Sequence, residues 1–488
     1  MLPEHFQFGG GVTESTINPL AAICLLIAMV LILVLPRRTV IVPFLLAFFT
    51  IPIGNVVVLG GLHFTALRAL IVAGLVRRAL FPRSASGSPS EGKYPWGFKS
   101  LDLFVFLWSV SAVIAFSLEF MEKQAFINAA GTLLDTLGGY LVVRFFVPDL
   151  ETIKRTIKVL AAICVINGLS MINEQYIGHF NAFSLLGVIS RAVTVRDGHI
   201  RAAGVMGCLY AGAFAGVLIP LFVWLWIEGK SRMAAYAGLA GATAMMITSY
   251  SSTSYLAYGG ALMGLAFWPL RKRMRLIRTG LVFMLVGLHM VMKAPVWALI
   301  ARVDLTGSSS GDQRYMLVDM TIRHFSAWWL IGTKEYLSWG WGSWDLCNQF
   351  VAVALTGGLF ALISYIAIFK VSFGSIGTAR KLAEGNREQE WLFWCLGSSL
   401  FATVVAHFGI NSVAQLFMGF FALLVCISVA SSEVRQTAVQ TSESPVEKKF
   451  GFMPGVSGVQ SRLGLARRDP KVSLSPERKE RLAPWMKA

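Results

Sequence analysis

Apolar runs about long enough to cross a bilayer, separated by short polar gaps, recur along most of this chain and leave it few alternatives to a membrane bundle. They fall near residues 19–35, 40–60, 62–80, 101–118, 126–147, 155–174, 205–227, 233–250, 254–270, 277–294, 346–370, 390–408 and 412–430. In hydrocarbon every backbone N–H and C=O must be paired within its own segment, which points to helices. The expected fold class is an all-α, polytopic membrane helix bundle of about 12–13 transmembrane helices with one long periplasmic loop. Composition agrees, since 55% of the 488 residues are hydrophobic and only 14% are charged.

The net charge of +17 is placed by topology. Lys and Arg gather in every second gap: Arg37 and Arg38; Arg77, Arg78, Arg83, Lys93 and Lys99; Lys154, Arg155 and Lys158; Lys230 and Arg232; the RKRMRLIR run at 271–278; Arg380, Lys381 and Arg387. Positive gaps face the cytoplasm, which puts the N-terminus and the loops at 176–203 and 295–345 on the far side. Nucleic-acid binding is the weaker reading of that charge. The N-terminus lacks the pattern of a cleavable signal peptide, and the first helix is expected to stay. The transmembrane domain is expected over 1–432, including the 295–345 periplasmic loop. Residues 433–488 read as a cytoplasmic, disordered basic tail, and 82–99 as a second polar segment, because neither buries enough apolar surface to offset ordering. The Gly60-Gly61 pair is either a kink or a turn. Cys24, Cys164, Cys208, Cys347, Cys395 and Cys426 stand singly, a spacing that suits neither a zinc site nor a disulfide framework.

Far-side chemistry concentrates in two loops. SRAVTVRDGHIRAAG brings out Arg191, Arg196 and Arg201, whose planar forks suit phosphate oxygens; pairing with Asp197 or with lipid phosphate is the alternative. The long loop carries Arg314, which opens YMLVDMTIRHF, a stretch with partial helical periodicity. Asp345 lies in the GWGSWD turn, where it could serve as general base or as the N-cap of the span beginning at Leu346. His324 and His407 are the other candidate bases, each with a structural hydrogen-bonding role as the alternative. Trp328, Trp329, Trp339, Trp341 and Trp344 could anchor at the interface or stack on sugars. No metal-ligating or nucleotide-binding motif is present. Within the spans, Asp135 and Arg144 are the main charged exceptions.

The order Arg201-Ala-Ala-Gly, Gly-Asp-Gln-Arg314, a GWG turn and CNQFVAVALTGGLF resembles the O-antigen ligase and O-antigen polymerase superfamily of bacterial envelope enzymes. The resemblance covers about residues 195–370 by motif and the rest by hydropathy. Cys347 stands where the ligases carry His, with Asn348 and Gly358 in frame, Ala361 at the last position, and Ser252-Thr253 in place of the family's serine-arginine pair. Those departures favour a polymerase-like member or a base from elsewhere, such as Asp345. The resemblance implies a metal-independent glycosyltransferase of the bacterial inner membrane that makes surface polysaccharide without a cofactor. Asp345, Cys347, His324 and His407 would be its catalytic candidates. Arg201, Arg314, Arg191, Arg196, Asn348 and Trp341 would bind the diphosphate or glycan. Its expected partners are undecaprenyl-diphosphate-linked glycan, the lipid bilayer and other polysaccharide-assembly proteins, with no nucleic acid. A transporter or flippase of lipid-linked sugars and a non-catalytic assembly protein are the rival classes.

Overall fold

The computed structural model describes residues 15–59, 62–81, 100–187, 194–196, 198–302, 310–340, 343 and 345–443. The regular structure is helical apart from two small hairpins. The first third of the chain holds α1 (Pro19–Val34), α2 (Ile41–Thr50), the β1 (Val56–Leu59) and β2 (Leu62–Thr65) hairpin, α3 (Ala66–Leu80), α4 (Ser100–Phe120), α5 (Lys123–Leu133) and α6 (Gly139–Phe146). The middle holds α7 (Leu150–Ile172), the hairpin of β3 (Val195–Arg196) and β4 (His199–Ile200), α8 (Cys208–Glu228), α9 (Arg232–Ser249) and α10 (Ser252–Ala266). Then come α11 (Met274–Val291), α12 (Leu299–Arg302), α13 (Ser310–Arg323), α14 (Phe325–Trp328), α15 (Gln349–Leu382), α16 (Arg387–His407) and α17 (Ala414–Glu443). Local signals set several boundaries. Asn18, Thr65, Asp149, Asn348 and Asn386 each accept a backbone N–H from the first turn of the helix they precede.

Every expected apolar run coincides with a helix, in keeping with the expected all-α polytopic bundle. Among the described residues, seven helices are long and apolar enough to cross a membrane: Ser100–Phe120, Lys123–Phe146, Leu150–Ile177, Cys208–Glu228, Trp268–Val291, Gln349–Leu382 and Ala414–Ala438. This is a multi-pass helical bundle of the membrane class. The remaining helices are shorter or less apolar. The run at 40–60 shows why: α2 has ten residues, a rise of about 15 Å, and Ile51, preceding Pro52, is already extended. The Val-rich segment that follows pairs as a strand, Val56 opposite Thr65 through Leu59 opposite Leu62. The reversal at Gly60-Gly61 lies outside the described residues, as do 82–99 and 444–488. α17 runs on to Glu443, past the start expected for the tail at 433, and Glu433 accepts the N–H of Leu150 (3.0 Å). Met1–Gln436 forms one compact unit; of the second, Thr437–Ala488, the described residues are the end of α17.

The basic gaps meet at one end of the bundle. Arg38 faces Asp149 (3.4 Å), Lys154 meets Glu228 (3.0 Å) and Glu388 (3.9 Å), Arg271 meets Glu390 (3.5 Å), and Lys272 meets Glu384 (3.2 Å). The two charges noted within the spans are neutralised by partners the sequence did not reveal. Asp135, in a π-helical turn (Leu134–Gly138) joining α5 to α6, takes both edges of Arg68, Nε to Oδ1 at 3.0 Å and Nη2 to Oδ2 at 2.8 Å. Arg144 pairs with Asp102 at 2.8 Å, and the Tyr140 hydroxyl donates to the same carboxylate.

Candidate functional site at the hydroxyl-rich turn

The opposite end is organised around the turn from α9 to α10, TSYSSTSY at 248–255. Tyr250 adopts left-handed backbone (φ 45°), and Thr248, Ser249, Ser251, Ser252, Thr253 and Ser254 are all buried. Two loops converge on it. Ala202 donates its N–H to the Thr248 carbonyl (3.0 Å), and the Arg314 Nη2 donates to Thr253 Oγ1 (2.9 Å). The arginine-bearing segments, more than a hundred residues apart in sequence, thus share one turn.

Arg201 is held by its backbone. Its N–H bonds Thr194 O (2.9 Å), Gln175 Nε2 donates to Ile200 O (2.7 Å), and Glu174 accepts from Ala203 and Gly204 N–H, both at 3.0 Å. The His199 ring packs on Tyr250, centroids 4.7 Å apart. The side chain is different. Its Nε and Nη2 are shielded from solvent and have no partner among the described residues. These two atoms form the bidentate edge of a guanidinium, the same edge that Asp135 fills on Arg68. A buried, unfilled fork is costly and is matched by an anion with two oxygens.

Arg314 is on α13, and helical spacing explains its position. Gly311, Arg314, Leu317 and Thr321 recur at three- and four-residue intervals and form the buried face. Leu317 and Trp328 pack on Val351, Ala354 and Leu355 of α15, while Trp328 Nε1 donates to Thr321 O (2.7 Å) and Trp297 Nε1 to Asp319 (3.0 Å). A break in α15 completes this docking. Gly358 has φ 73°, and a Cβ there would lie 2.5 Å from Leu330 O, so only glycine allows the loop this close. Backbone groups freed by the break bond the loop, Thr333 N–H to Leu355 O and Leu359 N–H to Trp329 O, both at 2.8 Å.

Asp345 and Cys347 sit just before α15, within electrostatic reach of Arg314. Burial raises the Asp345 pKa above the ordinary carboxylate range, while Arg314 acts to lower it. Burial first, and Asp345 second, push the Cys347 thiol up to about 11, which keeps it protonated at neutral pH and unsuited to act as base or nucleophile. Asp345 is not the helix cap. Asn348 fills that role, its Oδ1 accepting from Phe350 N (2.9 Å) and Val351 N (3.2 Å), so the oxygen expected to bind substrate is committed to the helix. His324 directs Nδ1 at Met320 O (2.9 Å) and stacks on Trp339 at 4.4 Å. Trp339, with Tyr336, Met316, Met320 and Gln313, lines a shallow surface cleft.

His407 is 1% exposed, with Tyr365 OH and Ser412 Oγ each 3.1 Å from a ring nitrogen, and belongs to the scaffold. Arg196 lies in β3, in the hairpin that carries Arg201. Arg191, Asp197, Trp341 and Trp344 lie outside the described residues. The structure therefore brings Arg314, Asp345 and Cys347 together, places Arg201 on the same turn, sets His407 between Tyr365 and Ser412, and puts Asn348 at the cap of α15. Thr248, Glu174 and Gln349 were missed by sequence reasoning, and Thr253 was noted only as a departure from the family's pair; for the two threonines the signal was the run of hydroxyl residues interrupting two apolar segments. Among the described residues no His, Cys, Asp and Glu cluster could hold a metal ion.

Neither a known protein family nor a curated protein matches the chain, so the site is read from its own chemistry.

Proposed function

We propose that this protein is a membrane glycosyltransferase that polymerises or ligates oligosaccharide carried on undecaprenyl diphosphate, at the periplasmic face of the bacterial inner membrane. The observation that carries the reading is the buried, unfilled Nε/Nη2 edge of Arg201, on the turn that also receives Arg314. Such a pair of forks suits a diphosphate, whose negative charge grows as it leaves. In the transfer, a sugar hydroxyl of the acceptor attacks the anomeric carbon of the donor. The carbon–oxygen bond to the diphosphate breaks, its electron pair leaves on the diphosphate, and Asp345 takes the hydroxyl proton. Burial raises the Asp345 pKa from its ordinary value, which makes its carboxylate a stronger proton acceptor than an exposed one. Exposed apolar surface on α11, none of whose residues is buried, supplies lipid contact for a carrier with a long hydrocarbon tail.

The test uses purified protein in vesicles supplied with lipid-linked oligosaccharide and acceptor. Transfer releases free undecaprenyl diphosphate and lengthens or moves the glycan; a transporter would relocate the donor unchanged. A deletion strain should in parallel lose polymerised or ligated surface glycan while keeping single repeat units. Absence of released carrier diphosphate with an otherwise folded protein refutes the proposal.

A further inference from the structure

Arg314 carries five N–H donors and no acceptor, so its orientation is set by the acceptors around it. Thr253 supplies a fully buried one, and the polarity of that bond is fixed. The single Thr253 hydroxyl proton is directed at Gly409 O (3.2 Å), which leaves an oxygen lone pair for Arg314 Nη2 at 2.9 Å. We propose that Thr253 and the connector between α16 and α17, residues 408–413, form a positioning device that aims the Arg314 guanidinium. The part of this that concerns transfer rests on the proposed function; the part that concerns the arginine does not.

The connector is a fixed point because it is clamped from several sides. Gly409 and Ile410 N–H bond Ala406 O at 2.8 and 3.0 Å, closing the last turn of α16. Ser412 N–H donates to Gln349 Oε1 (2.6 Å), and Ser412 Oγ is 3.1 Å from His407 Nε2. The other His407 nitrogen meets Tyr365 OH at 3.1 Å, so whichever tautomer is present has one donor and one acceptor satisfied. Gln415 Nε2 then ties the start of α17 to the Phe48 and Ile51 carbonyls at the end of α2. Gly409 is needed for the approach, since a Cβ there would lie 2.7 Å from Thr253 Oγ1.

Gln349 is the first residue of α15, two positions after Cys347 and four after Asp345. The connector therefore holds both halves of the site, Arg314 through Thr253 and Gly409, and the carboxylate approach to α15 through Ser412 and Gln349. In this arrangement His407, Ser412 and Thr253 are positioning residues. On the proposed function, the placement of Arg314 relative to Asp345 is set through this connector.

The test compares Thr253→Val, which keeps the shape and removes the hydroxyl, with Thr253→Ser, which keeps the hydroxyl. Full-length protein in detergent is treated with phenylglyoxal and modification of Arg314 is followed by mass spectrometry. Loss of a hydrogen bond to a charged group should speed Arg314 modification about tenfold in Thr253→Val and leave Thr253→Ser close to wild type. Ser412→Ala, which loosens the connector from a distance, should fall between them. In the transfer assay Thr253→Val should lose about a hundredfold in kcat, as misplacement of a catalytic group does, with the donor KM changed much less. Unchanged Arg314 protection in Thr253→Val overturns the proposal, as does a Thr253→Ser protein that is released equally. If the wild type transfers no glycan, the function fails and the protection assay still decides this inference.

Discussion

Replacing Arg201 by Met should make the ligand-free protein more stable, the reverse of what removing a structural arginine does. Nε and Nη2 of Arg201 are buried without an acceptor among the described residues. A buried donor left unpaired costs about 1–3 kcal/mol, and more when charged. Met keeps an unbranched apolar stem while eliminating both donors. The residue as a whole is half-buried, which lets solvent offset part of the penalty, so the expected net gain is about 1–3 kcal/mol. Chemical denaturation in detergent at fixed lipid content reads this directly. A second arm adds inorganic pyrophosphate or undecaprenyl diphosphate. At a concentration a hundredfold above Kd, either ligand should stabilise wild type by about 2.7 kcal/mol through mass action, and Arg201→Met hardly at all. A Met variant less stable than wild type by about 1 kcal/mol or more would mean that the fork already has its partner within the protein, and the argument for an anion there would fail.

The remaining predictions concern activity, pH and the break in α15. Arg201→Lys and Arg314→Lys keep the charge but lose the fork, and both should lose much of the transfer rate at equal protein level; wild-type turnover in both would show that transfer does not use the forks. Asp345→Asn should lower turnover by about two to four orders of magnitude in a folded protein, with Cys347→Ala milder; the opposite ranking would move the proton acceptor to Cys347. Burial raises the Asp345 pKa, so the carboxylate is lost as pH falls through that raised value, and the acid limb of the rate profile should lie above that of an ordinary carboxylate. Arg314→Gln removes the opposing charge and should shift the limb of its residual activity further up; an unmoved limb would separate Asp345 from the reaction. For stability the sign is the reverse: a raised folded-state pKa favours folding at low pH, and that contribution fades as pH rises through it. Gly358→Ala combines left-handed backbone with a Cβ 2.5 Å from Leu330 O, and should cost about 2–4 kcal/mol and expose the 329–340 segment to proteolysis. Wild-type melting and protease resistance would show that the loop docks without the close contact.

The sequence alone determined the class of fold, because length and apolarity of a run are local properties and hydrocarbon permits only internally bonded helices. It also determined which gaps share an end, since the paired residues such as Lys154, Glu228 and Glu388 fall in gaps it placed on one side. It singled out Arg201, Arg314 and Asp345, as charge and planar forks are conspicuous in an apolar chain. Several decisions belonged to tertiary structure. The run at 40–60 became a short helix, ending before Pro52, and a strand, Val56–Leu59, paired with β2, a partner invisible to a hydropathy window. The assignment of Asn348 rather than Asp345 as the cap required the actual start of α15. The surroundings of His407 were also decided by folding: Tyr365, on α15, and Ser412, in the connector that follows α16, take its two ring nitrogens. Thr253 carries no sequence signal of its own, since a threonine becomes an arginine's acceptor only when α13 and the α16–α17 connector are folded against it. Side-chain identity is written residue by residue, but which donors are left without an acceptor depends on contacts between segments far apart in the chain, and only the folded bundle decides that.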